Sequence, residues 1–312
     1  MRYLVTGAAG FIGSNIMEEL LRRGLEVRGI DNFATGRREN VEAFLSKTEF
    51  IEGDIRDAGT MRKAMAGIDV ILHQAAIPSV PRSISDPVTT NDVNVNGTLN
   101  ILNIAREAGV RRIVNASSSS VYGDSPTLPK NEEMATNPLS PYAVSKLAAE
   151  RYCSVFSKIY GLEAVSLRYF NVFGPRQDPT SQYSAVIPKF IKAMQAGDQP
   201  MVYGDGEQSR DFTYVANVVE ANLLAAEAEF EAGVSVNCAC HERTTLNDLV
   251  KQLNVLLGTK IAPQYADPRP GDIKHSYADI GLAKKTIGFS PAIGFRKGLE
   301  LTVDWYGADR NR

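Results

Sequence analysis

Arg2-Tyr3-Leu4-Val5-Thr6-Gly7-Ala8-Ala9-Gly10-Phe11-Ile12-Gly13 decides the fold of this chain. Residues 2–6 are a short apolar run of strand type. Three glycines follow at equal spacing, and a helical apolar pattern then runs from Ser14 to Leu21 and stops at Gly24. Strand, glycine loop and helix in this order make an anion site: the glycines let backbone amides approach a pyrophosphate, which lies against the positive end of the helix dipole. The spacing G-x-x-G-x-x-G differs from G-x-G-x-x-G, and its weight comes from its place directly after the first strand. The expected cofactor contacts in this loop are Gly7, Gly10, Phe11, Ile12 and Gly13.

Working outward, a second strand over residues 26–30 ends in Asp31-Asn32, about 20 residues past the loop, where an acidic side chain accepts both ribose hydroxyls of an adenosine. That favours NAD. Arg37 and Arg38 are cations that suit a 2′-phosphate, but the charge of Asp31 opposes that group, so NAD stands over NADP. A third strand over 49–52 leads to Asp54, placed for the adenine amino group, and Ile55; a helix is expected over 61–65. The strand over 70–73 ends at His73, read as a structural hydrogen-bonding residue, and Gln74-Ala75-Ala76 are small enough to pass close to a cofactor. A helix over 92–108 carries Asn94, and a strand over 112–116 delivers Ser117-Ser118-Ser119-Ser120. Strands alternating with helices predict an α/β fold of Rossmann type: a doubly wound parallel sheet, its ligands at the carboxyl ends of the strands.

The 312 residues allow a large unit with a smaller partner. The expected division is a dinucleotide-binding unit over 1–174, with return segments near 212–237, and a smaller α/β substrate unit over 175–312, where prolines punctuate short elements. The net charge of −2 and the lack of a basic run argue against nucleic acid and anionic membranes as partners. Three cysteines, with no second pair to complete Cys238-Ala239-Cys240 as a zinc site, suit a reduced, cytoplasmic protein without a metal. No apolar run approaches the roughly 18 residues of a membrane span.

Pro141-Tyr142-Ala143-Val144-Ser145-Lys146 supplies the chemistry. On a helix over 141–160, Tyr142 and Lys146 share a face, so an ammonium stands beside a phenol. A phenol of pKa about 10 is a poor base near neutral pH, and an adjacent cation favours its ionised form. A serine hydroxyl from the preceding strand end can relay the proton.

With Gly7/Gly10/Gly13, Asp31, Asp54, Asn94, the serine cluster and Tyr142/Lys146 in this order, the chain resembles the extended short-chain dehydrogenase/reductase family over nearly all its length. The runs Leu167-Arg168-Tyr169-Phe170-Asn171-Val172-Phe173-Gly174-Pro175-Arg176 and Gly204-Asp205-Gly206-Glu207-Gln208-Ser209-Arg210-Asp211-Phe212 resemble those of its nucleotide-sugar enzymes. The resemblance implies Tyr142 as base, Lys146 on the nicotinamide ribose and Ser118 bridging tyrosine and sugar. It also implies Ser117 and Tyr169 at the cofactor, and Ser79, Ser119, Asn171, Val186, Tyr203, Arg210, Arg269 and Ser276 at a UDP-sugar.

Related dehydratases and decarboxylases carry carboxylates directly after the bridging hydroxyl. Here Ser119 and Ser120 stand there, and neither abstracts a carbon-bound proton at neutral pH. What remains is 4-epimerisation through a 4-keto sugar. Ser276 stands where relatives restricted to plain hexoses carry a tyrosine, and its small size implies room for an acetamido group. The resemblance implies interconversion of UDP-N-acetylglucosamine and UDP-N-acetylgalactosamine, with the non-acetylated pair as possible further substrates. A UDP-glucose or UDP-glucuronate 4-epimerase is the alternative, and a non-catalytic NAD-sensing module is disfavoured because Tyr142 and Lys146 are both kept. By the same resemblance, helices starting near Asn91 and Pro141 pair in a homodimer through a four-helix bundle, with Leu102, Tyr152 and Phe156 expected on their outer faces.

Overall fold

The computed structural model describes residues 1–179, 186–268 and 274–309. β1 (Arg2–Thr6) passes through the glycine loop into α1 (Phe11–Arg22). The helix starts three residues before the apolar pattern suggests, because Gly10 in extended conformation is its N-cap. β2 (Glu26–Asp31), β3 (Glu49–Glu52), β4 (Val70–His73), β5 (Arg112–Ser118) and β6 (Glu163–Tyr169) follow. β5 is two residues longer than expected: Ser117 and Ser118 stay in the ladder opposite Arg168 and Tyr169 of β6.

Beyond Tyr169 come the short strands β7 (Val172–Phe173), β8 (Met201–Tyr203), β9 (Ser209–Arg210) and β10 (Thr213–Tyr214). β11 (Val234–Cys238) then returns beside β6, and β12 (Thr244–Thr245) and β13 (Gln264–Ala266) pair with β9 and β8. The large sheet has seven strands in the order β11-β6-β5-β4-β1-β2-β3, each neighbour parallel. The order reverses between β1 and β4, which opens a crevice at the strand ends.

The remaining helices are α2 (Ala58–Met65), α3 (Val80–Ser85), α4 (Pro87–Asn91), α5 (Gly97–Glu107), α6 (Pro141–Tyr160), α7 (Val186–Gln195), α8 (Val215–Glu227), α9 (Leu246–Leu257), α10 (Gly281–Ile287) and α11 (Phe295–Asp309). Successive strand residues point to opposite faces of the sheet, and both faces are covered. Tyr3 and Val5 join Ile16, Met17 and Leu20 of α1 and Val218 and Ala221 of α8. Leu4, Ile71 and Ile113 join Met61 and Met65 of α2, Ile101 of α5 and Phe156 of α6 on the other side. A third cluster, with Phe173, Ile187, Phe190, Val202, Phe212, Leu249, Phe295 and Leu299, binds α7, α9 and α11 together.

The helix expected over 92–108 begins earlier, at Pro87, where the Asp86 carboxylate caps the amide of Thr89 at 3.0 Å. It passes through a π-helical turn, Asp92–Asn96, before α5. α6 has the expected limits: Ser140 caps it, Pro141 sits in its first turn and Gly161 ends it in the left-handed conformation. The outer-face expectation is corrected. Leu102 and Phe156 are buried and Tyr152 packs against the same core, because they lie on the sheet side of α5 and α6. The exposed apolar residues of this region include Ile84 and Val88 on α3 and α4 and Val144, Val155 and Ile159 on α6. Among the described residues, no helix is long and apolar enough to cross a membrane.

Candidate active site

The glycine loop is shaped by close backbone approach. A Cβ on Gly7, at φ +67°, would stand 2.7 Å from the Ala75 nitrogen, and one on Gly13 would stand 2.0 Å from the Gly7 carbonyl oxygen. Gly10 donates its amide to that same oxygen at 3.0 Å. Phe11 and Ile12 open α1 immediately beyond. The loop is tied to β2 through Asp31, whose carboxylate accepts the amides of Ala9 at 2.9 Å and Phe33 at 2.8 Å. Burial pushes the Asp31 carboxyl up, and these amides pull it back.

Asn32 donates to Asp54 at 2.9 Å, and Arg56 bridges Asp54 and Asp92 at 2.8 and 2.6 Å. The Arg56 guanidinium holds the Asp54 carboxyl down at about 2. Ile55 is buried behind it. Arg37 pairs with Glu39 at 2.5 Å and lies 3.5 Å from Asp178; Arg38 pairs with Glu52 at 2.6 Å and covers the Phe33 ring. Both cations that raised the question of a 2′-phosphate are thus engaged by carboxylates, in keeping with NAD.

His73 is structural. Buried between the hydroxyls of Thr6 at 2.7 Å and Thr98 at 2.9 Å, its imidazole is driven down to about 3 by desolvation. Past it, Gln74 meets Tyr169 and Asn222 in a ring of hydrogen bonds: Tyr169 to Gln74 at 3.1 Å, Gln74 to Asn222 at 3.0 Å and Asn222 to Tyr169 at 2.8 Å. Ala75 packs over Gly7, with Ala76 next to it in the loop. Asn94, in the π-helical turn, clamps this loop by accepting from Ile77 N at 2.7 Å and donating to Ile77 O at 3.1 Å and Ser145 at 3.0 Å. Ser79 caps α3 with φ at +95°, a strained conformation for a residue with a side chain.

The ends of β5 and α6 bring Ser117, Ser118, Tyr142 and Lys146 together. The Ser118 hydroxyl stands near enough to Tyr142 to pull its phenol down, and it accepts the Ser120 amide at 3.2 Å. Lys146 Nζ lies 5.9 Å from the Tyr142 ring centre and donates to Ala116 O at 2.8 Å. The expected lowering of the phenol is not met here: burial pushes Tyr142 up, and the influence pulling it down is the Ser118 hydroxyl. Desolvation brings Lys146 down to about 8, opposed by the carboxylate of Glu150. Ser119 and Ser120 form the next turn, and the Ser120 hydroxyl is buried with no hydrogen-bond partner among the described residues.

Near the sheet edge, a cavity of about 600 Å³ is lined by Asn171, Val186, Tyr203 and Arg210 of the expected substrate set. Lys189, Phe190, Gln199 and Gln208 also line it and were missed. Lys189, Phe190 and Ala193 follow Val186 at helical spacing, so the period of α7 was the available signal. Asn171 sits at φ +37° and donates to Asp211 O at 3.2 Å. Ser276 lies outside the lining, its amide bonded to Ser209 O at 3.0 Å, one residue from Arg210. Arg269 falls outside the described residues.

A doubly wound sheet with a glycine loop after β1 and a Ser/Tyr/Lys cluster between β5 and α6 defines an extended short-chain dehydrogenase/reductase. The chain belongs to the NAD dependent epimerase/dehydratase family, whose model matches residues 3–239. It is 38% identical, over 98% of both chains, to a UDP-glucose 4-epimerase of Mycolicibacterium smegmatis. Among solved structures it is similar to a UDP-N-acetylglucosamine 4-epimerase of Methanobrevibacter ruminantium in complex with UDP-N-acetylmuramic acid, at 40% identity and a TM-score of 0.94, covering 99% of this chain and 98% of that one. It is also similar to a Thermus thermophilus UDP-glucose 4-epimerase in complex with NAD, at 40% identity and a TM-score of 0.89, covering 98% and 99%.

Proposed function

We propose that this protein is a UDP-sugar 4-epimerase that interconverts UDP-N-acetylglucosamine and UDP-N-acetylgalactosamine. The observation that carries the reaction class is the turn after Ser118: Ser119 and Ser120 occupy positions from which a carboxylate would drive elimination or assist decarboxylation. The residues fit NAD, since Gly7 and Gly13 leave a cradle that a Cβ would fill. Gly7, Gly10, Gly13, Asp31, Asp54, Gln74, Lys146 and Tyr169 would hold it, and NAD, when bound, supplies a reversible acceptor for the hydride at C4 of the sugar. Tyr142 takes the proton of the 4-hydroxyl, with Ser118 as relay, and returns it after the 4-keto sugar has presented its other face. Lys146, with its charge retained, stabilises the ionised phenol during the exchange.

The cavity near β8 and β9 takes the nucleotide, with Arg210 on the diphosphate and Tyr203 against the base. Asn171, Val186, Ser79 and Ser119 face the sugar end. The preference for acetylated sugars rests on Ser276, whose backbone is held on β9 beside Arg210 and whose side chain is small. A second reading, a UDP-glucose 4-epimerase, draws support from the two relatives of that name. Residues 1–174 with 212–237 act as the cofactor unit and 175–312 as the substrate unit, and two copies pair through α4, α5 and α6. Incubation with each UDP-sugar without added NAD, followed by separation of the products, tests the reading. A pure protein that released no NAD on denaturation and consumed added NAD stoichiometrically would refute it.

A further inference from the structure

α6 grips the end of β5 at two successive residues. Lys146 donates to Ala116 O at 2.8 Å, and one helical turn later Glu150 accepts the Ser117 hydroxyl at 2.5 Å. The next strand residue is Ser118, and one turn back on the helix is Tyr142. These two contacts therefore set the register between Ser118 and Tyr142.

Glu150 is itself fixed. Arg168 holds it with two hydrogen bonds, at 2.9 and 2.8 Å, and Arg168 stands directly opposite Ser117 in the β5–β6 ladder. Opposite Arg168 on β11 stands Asn237. The Tyr122 hydroxyl receives from Arg168 at 2.9 Å and donates to Asn237 at 2.7 Å. Tyr122 closes the turn that begins at Ser119, so the same polar row holds the serine turn at both ends. Every member is at least nine-tenths buried: Ser117 3%, Glu150 3%, Arg168 4%, Tyr122 1% and Asn237 0% exposed. A buried ion pair is weak evidence of added stability, since apolar residues of similar volume often do as well. Its place one turn from Lys146 and one residue from Ser118 points to a different service.

We infer that Glu150, anchored by Arg168, is the positioning residue of this site: it sets where Ser118 and the Lys146 ammonium stand relative to Tyr142. The inference rests on the epimerase reading. The groups facing Lys146 are Tyr142 and Glu150 on α6 and His73 on β4, the last held neutral by burial. Those facing Glu150 are Lys146 and the Cys153 thiol on α6, Ser117 on β5 and Arg168 on β6, and burial keeps the thiol neutral. Glu150 is thus the anion that faces the lysine.

The test compares Glu150→Gln and Ser117→Ala with the parent in the full chain, by thermal melting, NAD retained after gel filtration, and kcat and KM across about pH 6 to about pH 10. Gln keeps the shape and one acceptor but removes the charge; Ala removes only the strand contact. Both variants are expected to melt cooperatively and keep NAD. Ser117→Ala should lower kcat about tenfold to a hundredfold at constant KM, as expected for a misplaced relay. Glu150→Gln should lower kcat as well and move the alkaline limb toward lower pH by on the order of one unit, as Lys146 loses its counter-charge. Parental kcat in Ser117→Ala, or an unmoved limb in a folded Glu150→Gln, overturns the inference; if Glu150→Gln does not fold, Ser117→Ala decides alone. A parent inactive on every UDP-sugar overturns the epimerase reading and the inference with it, whereas an active parent with unaffected variants overturns the inference only.

Discussion

Replacing Gly13 by alanine tests the cofactor cradle most directly. The new Cβ would stand 2.0 Å from the Gly7 carbonyl oxygen and 2.8 Å from its carbon, both backbone atoms that no rotamer change can move aside. The loop must shift by more than an ångström, which strains the bond from Gly10 N to Gly7 O at 3.0 Å and the bond from Ala9 N to Asp31 at 2.9 Å. Overpacking of this kind costs about 1–3 kcal/mol, and a weakened backbone hydrogen bond adds roughly 1 kcal/mol. Because NAD needs the undistorted loop, about 2–4 kcal/mol falls on binding, a loss of roughly 30-fold to 1000-fold in affinity. Gly24→Ala is the control: it sits at a left-handed φ of +70° with nothing within 4 Å, so it should lower stability by about 1 kcal/mol through backbone strain alone and leave NAD untouched. The assay is NAD content of the purified protein, with calorimetric titration of protein stripped of cofactor. A Gly13→Ala protein that folds and binds NAD as tightly as its parent refutes the reasoning.

Ser276→Tyr should lower kcat/KM on the acetylated pair about tenfold to 200-fold relative to the plain pair, and equal losses on both would count against the role of that position. Burial pushes the Asp211 carboxyl up to about 6 although it accepts the amides of Cys240 and Ala278. A carboxyl raised in the folded state gives stability that is full below its unfolded value of about 3.9 and is lost as pH rises through about 6. Stability of the parent relative to Asp211→Asn should therefore fall by on the order of 3 kcal/mol between about pH 4 and pH 7, measured by denaturant melts, and a difference that does not change with pH would refute this. Ile159 is 67% exposed on α6, so if two copies pair through α6 as proposed, Ile159→Glu should halve the mass in sedimentation equilibrium, and an unchanged mass would count against that pairing.

The cofactor half was legible because its signals are local. A strand, a glycine loop and a helix lie within residues 2–22, and Asp31 and Asp54 each sit at the end of a strand that the apolar pattern delimits. The helix of Tyr142 and Lys146 was also legible to the residue, since Ser140-Pro141 opens it and Gly161 closes it. The cavity lining was only half legible: Lys189 shares the helical period of α7 with Val186, which was the signal available, whereas Gln208 lies in the loop between β8 and β9, where there is no period to read. The outer face of α6 was misread because Tyr152 and Phe156 follow an apolar spacing that is equally that of the buried side, and a helix sequence does not say which side meets the sheet.

From sequence alone come the doubly wound sheet, the preference for NAD, the helix that sets Tyr142 and Lys146 on one face, and the serines at the end of β5. Each is a matter of residue type at short spacing, where chain connectivity forces proximity. Only the tertiary structure decided that Glu150 reaches Ser117, that Arg168 and Asn237 extend that row across three strands, and that burial rather than Lys146 governs the Tyr142 phenol. Strand register and desolvation arise from residues far apart in the chain, and they become definite only once the sheet has closed around them.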